Sequence, residues 1–461
     1  MCRVRVYCHM ADYCFSSVDM SWQRTYIERR IGPQTSTREQ LSPSESESLM
    51  ESPQSSLRDG TLQNMAGAAL PVAERVGNLA RSGLFGLLAA ARGGQTIDLA
   101  LGVPAVPATP LGLIEMACAA LRDGMNQYEQ PDGNIVLRQR IAAELSVPTD
   151  PATELTITVG ATTALTAAIL AVVDPGDEVV VFEPFYENFI SAIALAGGVP
   201  RLVAMHAPDW RFDVAELRAV FGPRTKAVVL CTPNNPTGHM LTRAEFADIA
   251  ELCERWNAVV ISDEIYSGYV YAGHRHLSAV DLPALGDRSI VIGSLSKSHA
   301  VSGWRIGYLR ANAALSRSMR QVHVAVCGGA AAPLQAAAAR MAAAQPGFLR
   351  AVANLDAQRD LVVSMFDDIG LRCIPPDGGC YAIADIRQFT DEDCESLAYR
   401  LVREAGVMVA PGKFFYATES DGAHLVRVAF NRRLETLDLA RQRLSIYQTS
   451  SSGRDVARPR R

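Results

Sequence analysis

A lysine at position 297 sits in GSLSKSHAVSGWRIGY, directly behind the apolar run SIVI. A lysine amine condenses with aldehydes and, once released, serves as a mobile base. Other polar residues stand at comparable places. Gly160, Ala161 and Thr162 follow LTITV, and Tyr186 follows DEVVVFEP. Asn235 follows KAVVLCTP, and Asp263 and Tyr266 end AVVIS. Ser294 closes SIVIG, and Arg305 comes shortly after the lysine. Carboxylate, phenol, amide, hydroxyl and guanidinium groups thus recur just past short apolar runs. Backbone N–H groups at a turn into a helix, such as Gly160–Thr162, suit an anion. Arginine offers a planar fork to phosphate or carboxylate. Each element also has an ordinary use: N-P-T-G is good turn chemistry anywhere, and Thr162 could simply cap a helix.

The elements that position these groups alternate in type. The β-branched runs LTITV, DEVVVF, KAVVLC, AVVIS and SIVIGS are separated by helical patterns. ATTALTAAILAVV is one such helix, ENFISAIALAGG ends at Gly197 and Gly198, and RAEFADIAELCERW begins after the N-cap candidate Thr242. Short apolar strands between helices indicate a mostly parallel sheet covered on both faces. Ligands of such sheets bind beyond the carboxyl ends of the strands, where the polar residues cluster.

With NPTG, SDEIY and SLSKSHAVSGWRIGY in this order, the chain resembles the fold type I pyridoxal-5′-phosphate (PLP) enzymes of the class I/II aminotransferase group, from about Ala66 to Ile446. The resemblance implies the following roles. Lys297 forms the Schiff base with PLP. Asp263 pairs with the pyridine nitrogen, and Tyr266 and Asn235 reach the 3′ oxygen. Gly160, Ala161, Thr162, Ser294 and Arg305 hold the phosphate, with Gly303 allowing a tight turn. Tyr186 stacks on the ring. Arg427, in HLVRVAF, binds the substrate α-carboxylate, with Asn235 and Gly102 beside it. Tyr128, in MNQYEQPDG, matches a tyrosine that crosses to the partner subunit's phosphate, which implies a homodimer with shared active sites. His299 is read as a packing or hydrogen-bonding residue; Cys380, in DGGCYA, falls in a loop that often borders the substrate, and a small packing residue explains it equally well.

The implied fold is α/β: a mostly parallel central sheet with helices on both faces, plus a smaller α+β domain. Residues 109–350 are expected to form the large PLP-binding domain. Residues 66–108 and 351–448 are expected to form the small one. The Ser/Glu/Pro-rich head within 1–65 reads as a disordered or non-core extension, and 449–461 as a flexible tail.

Composition bounds the partners. A net charge of -5 over 461 residues lacks the basic excess of a nucleic-acid binder. Ten cysteines at irregular spacing, without a CxxC pair, support neither a zinc ribbon nor a redox motif. No metal is expected. No apolar run reaches membrane-span length, and the N-terminus lacks a clean signal-peptide core; a cytoplasmic location is expected. The function expected is an amino-acid aminotransferase that moves an amino group between an amino acid and a 2-oxo acid. Elimination, replacement or ring closure on the same scaffold, as in C–S lyases and the 1-aminocyclopropane-1-carboxylate synthase group, is the alternative. A PLP-fold regulator is a remoter one, since the head shows no basic helix-turn-helix pattern.

Overall fold

The computed structural model describes residues 72–77, 79, 83–92, 94–350 and 354–455. The expectations for residues 1–65 and 456–461 lie outside this set. All described residues belong to one compact unit, Pro71–Arg461.

Strand β1 (Ile97–Asp98) precedes eight strands that share a central sheet. These are β2 (Leu155–Val159), β3 (Glu178–Glu183), β4 (Val199–His206), β5 (Arg211–Phe212), β6 (Thr225–Cys231), β7 (Val259–Asp263), β8 (Ser289–Ser294) and β9 (Ile306–Arg310). Their spatial order is β2-β9-β8-β7-β6-β3-β4-β5. The pairs from β8 through β7, β6 and β3 to β4 are parallel. Strand β9 runs against both of its neighbours, and β5 runs against β4.

Burial on both faces explains why these strands read as unbroken apolar runs. Side chains alternate across a strand. In β3, Val179 and Val181 join one core cluster while Val180 and Phe182 join another. In β6, Ala227 and Val229 face the first, and Val228 and Leu230 the second. Helix Gly160–Val172 covers the first face and helix Arg243–Trp256 the second.

The connecting helices start and stop where their sequence chemistry dictates. Thr242 caps Arg243–Trp256, and its hydroxyl and the Glu245 carboxylate form a reciprocal capping box. Helix Asn188–Ala196 ends at Gly197, which adopts the left-handed conformation (φ 73°).

The later strands are β10 (Arg372–Ile374), β11 (Tyr381–Asp385), β12 (Val407–Met408), β13 (Ala410–Pro411) and β14 (Leu425–Ala429). A four-stranded antiparallel sheet runs β10-β11-β14-β13, and β12 pairs in parallel with β1. Arg427 lies mid-strand in β14, opposite Ile383 on one side and Ala410 on the other. The final helix, Leu434–Asp455, continues into the stretch that reads from sequence as a tail. Among the described residues, no helix is long and apolar enough to cross a membrane.

Candidate active site

A cavity of about 310 Å³ opens at the carboxyl ends of the parallel strands. Strand direction selects what reaches it. Strands β2, β3, β6, β7 and β8 end at this edge and deliver Thr162, Tyr186, Asn235, Asp263 and Lys297 from the residues at or after their last turns. The reversed strand β9 begins there instead. Ile306 pairs with Val159, and Gly307 with Ser294, so the preceding residue, Arg305, arrives at the same edge from the other direction.

Arg305 and the start of helix Gly160–Val172 form a close-fitting cradle. Gly160 has φ +70°, and a Cβ on it would lie 2.3 Å from an Arg305 guanidinium nitrogen. Gly307 must also lack a side chain, because a Cβ there would come within 2.8 Å of the Ala161 nitrogen. Arg305 donates to the Ser302 carbonyl at 2.9 Å and has no carboxylate partner among the described residues. The sequence reading assigned the tight turn here to Gly303. The positive φ values fall instead on Ala300 (53°) and Arg305 (54°), because the chain must double back before β9 begins.

Lys297 sits on a single helical turn, Leu295–Ser298, whose N-cap is Ser294. Its side-chain nitrogen donates to the Gly102 carbonyl at 2.8 Å. Burial holds its pKa below the ordinary lysine range, and the positive charges of Arg427 and Arg305 push the same way. Asp263 is 5% exposed, and burial pushes its pKa up to about 7. Among the described residues its carboxylate accepts only the Ile265 N–H, at 3.3 Å. A buried carboxylate with so little compensation suits a cationic N–H partner.

Arg427 is 4% exposed. It donates to Asn235 Oδ1 at 2.8 Å and to the Ala100 carbonyl at 2.6 Å. Its guanidinium lies between the rings of Tyr381 (4.2 Å) and Phe415 (4.5 Å). Its Nε is buried without a hydrogen-bond partner, and no carboxylate pairs with it among the described residues. A guanidinium fixed by neutral acceptors and aromatic faces retains donor capacity for an anion.

Tyr186 is largely buried and packs edge-on to Phe189, and the Asn188 amide donates to its hydroxyl. The Tyr266 hydroxyl lies 3.3 Å from that of Tyr381. Gly102, Ala161 and Ser294 also line the cavity. Gly102 has a packing reason to be glycine: a Cβ there would lie 1.7 Å from the Tyr381 hydroxyl. Tyr128 is not brought into this cavity. It is 97% exposed and lies beside residues 328–333. His299 is buried between Ser298 and the Phe348 carbonyl, away from the cavity. Cys380 is fully buried behind the wall.

Sequence reasoning missed several lining residues. Tyr381 is the clearest, one position beyond the Cys380 that drew notice in DGGCYA. Phe415 and the helix Leu84–Ala91, with Leu84, Phe85 and Leu88, were also missed. Short apolar segments of this kind carry no chemical signature until the fold places them.

The donor set fits pyridoxal phosphate. Gly160 and Arg305 form an anion cradle that a Cβ would fill. Asp263 supplies a buried carboxylate, and Lys297 an amine of lowered basicity. Among the described residues, no cluster of His, Cys, Asp and Glu is arranged to hold a metal ion.

Comparison with known proteins points the same way. The family model "Aminotransferase class I and II" matches residues 95–444. Kynurenine–oxoglutarate transaminase 3 of Rattus norvegicus is 32% identical over 391 residues, covering 78% of this chain and 86% of the relative. The methionine aminotransferase of Escherichia coli is 32% identical over 355 residues, covering 76% of this chain and 92% of the relative. The solved structure of N-succinyldiaminopimelate aminotransferase from Mycobacterium tuberculosis superposes with a TM-score of 0.78 at 32% identity, covering 82% of this chain and all of that one. With the family model spanning residues 95–444 and a solved relative superposing over 82% of the chain, the chain belongs to the class I and II aminotransferases, PLP-dependent enzymes of fold type I.

Proposed function

We propose that this aminotransferase takes neutral amino acids with apolar or aromatic side chains as amino donors, and that it holds PLP on Lys297. The observation that carries this reading is the convergence of Lys297, Asp263, Arg305 and Arg427 on one cavity whose remaining wall is largely apolar. Arg305 and Arg427 are the only arginines lining it among the described residues. With Arg305 committed to phosphate and Arg427 to the α-carboxylate, a distal carboxylate finds no cationic partner. It would also approach Glu187, a like charge on the wall. Leu84, Phe85, Leu88, Leu101 and Val103 offer an apolar surface instead.

When bound, PLP supplies an electron sink for negative charge at the substrate Cα. The residues of this chain do the rest. Arg427, fixed by Asn235 and the Ala100 carbonyl, anchors the α-carboxylate and so orients the Cα–H bond. Lys297 Nζ, its basicity lowered by burial, accepts the Cα proton and returns it on the same face. Asp263 holds a proton on the ring nitrogen. Gly160, Ala161, Thr162, Ser294 and Arg305 bind the phosphate. Tyr186 packs against the ring, and Tyr266 and Asn235 bond its phenolic oxygen.

We further assign the chain to a homodimer in which Tyr128 completes the partner's phosphate site. Its exposure, together with that of the apolar Leu111, Ile114, Met125 and Ile135, supports this reading. Residues 109–350 form the PLP domain, the described residues from 72 to 108 and from 354 to 448 the small domain, and the enzyme works in the cytoplasm. The test is amino-group exchange with 2-oxo acids across a panel of amino acids, followed by product mass spectrometry. Methionine and aromatic amino acids should rank above aspartate and glutamate. The opposite ranking overturns the substrate class. Loss of a β or γ substituent from the good substrates overturns transamination.

A further inference from the structure

A second cavity, of about 370 Å³, lies behind the first. In β9, Gly307 and Leu309 face helix Gly160–Val172, so Tyr308 and Arg310 project from the opposite face. Gly293 of β8 makes room for the Tyr308 ring, since a Cβ there would lie 2.1 Å from it. Helix Ile135–Glu144 and the turns at Val280 and Leu349 complete the enclosure. The two cavities share Ile265 and Ser294 as a partition.

The polar groups here are unbalanced. Arg310 is 8% exposed. Its Nε and Nη1 have no hydrogen-bond partner, and it forms no ion pair among the described residues. The nearby carboxylates are engaged elsewhere. Glu264 is bonded to His276, the Ser262 hydroxyl and the Ala279 N–H. Asp281 is bonded to the Ser146 hydroxyl and the Ser278 N–H. The exception is Glu144, whose buried Oε2 accepts no hydrogen bond and has only the Arg350 Nε at 4.0 Å. A buried guanidinium without an anion is costly to maintain. His276, whose Nδ1 is also buried without a partner, lines the same cavity. A buried guanidinium lacking an anion and a carboxylate held only by the distant Arg350, walled by Ile141, Leu145 and Leu349, describe the complement of a zwitterion with an apolar side chain.

We propose that this second cavity binds a small α-amino acid, its carboxylate on Arg310 and its ammonium group on Glu144. The occupant lies against Ser294, Leu295 and Ser298, the underside of the turn that carries Lys297, so its binding alters turnover in the neighbouring site.

The probe is 2-aminoisobutyrate, which has no α-hydrogen and cannot be transaminated. It is titrated calorimetrically into the holoenzyme, with acetate as the anion-only control. Wild type should bind one equivalent per chain more than Arg310→Met. Glu144→Gln should weaken that extra site at least tenfold for 2-aminoisobutyrate and leave acetate binding there unchanged. Leu349→Trp, which fills the cavity without touching the charged pair, should remove the extra equivalent too and covers the case in which Arg310→Met fails to fold. Equal stoichiometry in wild type and Leu349→Trp overturns the site. Acetate binding without 2-aminoisobutyrate binding overturns the zwitterion.

Discussion

The side-chain nitrogen of Lys297 lies 2.8 Å from the carbonyl oxygen of Gly102, a residue 195 positions earlier in the chain. The acceptor is neutral. No carboxylate is bonded to the amine to hold its proton, and burial lowers its basicity. A lysine so placed gives up its proton more readily than one in water.

Lys297→Ala should therefore lose at least about 100-fold in amino-group exchange, the lower end of what a positioned general base contributes. Borohydride treatment of wild-type holoenzyme should fix the cofactor on one tryptic peptide, and sequencing should find the label at position 297. Label on another lysine refutes the assignment.

Asp263 gives a pH-dependent prediction for cofactor-stripped protein. Its folded pKa is raised from 3.8 to about 7, so the folded state binds the proton more tightly than the unfolded one. This carboxyl therefore costs nothing below about pH 4. It costs progressively more between pH 4 and 7, and then stays constant. Integrated over that interval the cost is up to roughly 4 kcal/mol. Stripped Asp263→Asn should match stripped wild type in denaturant titrations near pH 4 and exceed it at pH 8. Adding PLP should stabilise wild type more than the variant. A difference that does not change with pH refutes the argument.

Arg427→Lys should raise KM for amino acids by about 10- to 150-fold, since each lost charged hydrogen bond is worth about 1.5–3 kcal/mol. A point charge replaces a fork, and the Asn235 and Ala100 acceptors lose a fitted donor. Cofactor absorbance should be unchanged, because Arg427 does not belong to the phosphate cradle. An unaltered KM places the carboxylate elsewhere.

Lys297→Ala and Tyr128→Ala should complement each other. Each variant alone should be impaired. After subunit exchange, mixed dimers contain one site that has Lys297 from one chain and Tyr128 from the other, and activity should recover toward a quarter of the wild-type level. No recovery after exchange verified by mass refutes composite sites.

What the sequence revealed and what it hid follow from physical range. The capping box at Thr242 and the stop at Gly197 are local, encoded within a few residues, and were legible at once. The polar residues at strand ends were legible because a parallel sheet gathers them at one edge whatever its detailed shape. Tyr381 was not. Its role depends on β11 pairing with β14 and on Gly102 lying beneath its hydroxyl, relations no local pattern records. Arg310 was equally hidden. It reads as an ordinary strand residue, and only burial exposes its missing partner.

The reversal of β9 and the late position of β14 together stage the assembly of the catalytic centre in time. Everything proposed to grip the phosphate and the ring comes from residues 128–305. The Arg427 clamp joins Ala100, Asn235 and β14, with separations of 327 and 192 positions. A chain emerging from the ribosome N-terminus first carries every residue proposed for the cofactor before it carries the arginine proposed for the substrate. Commitment to the reaction arrives with one of the last strands to be synthesised.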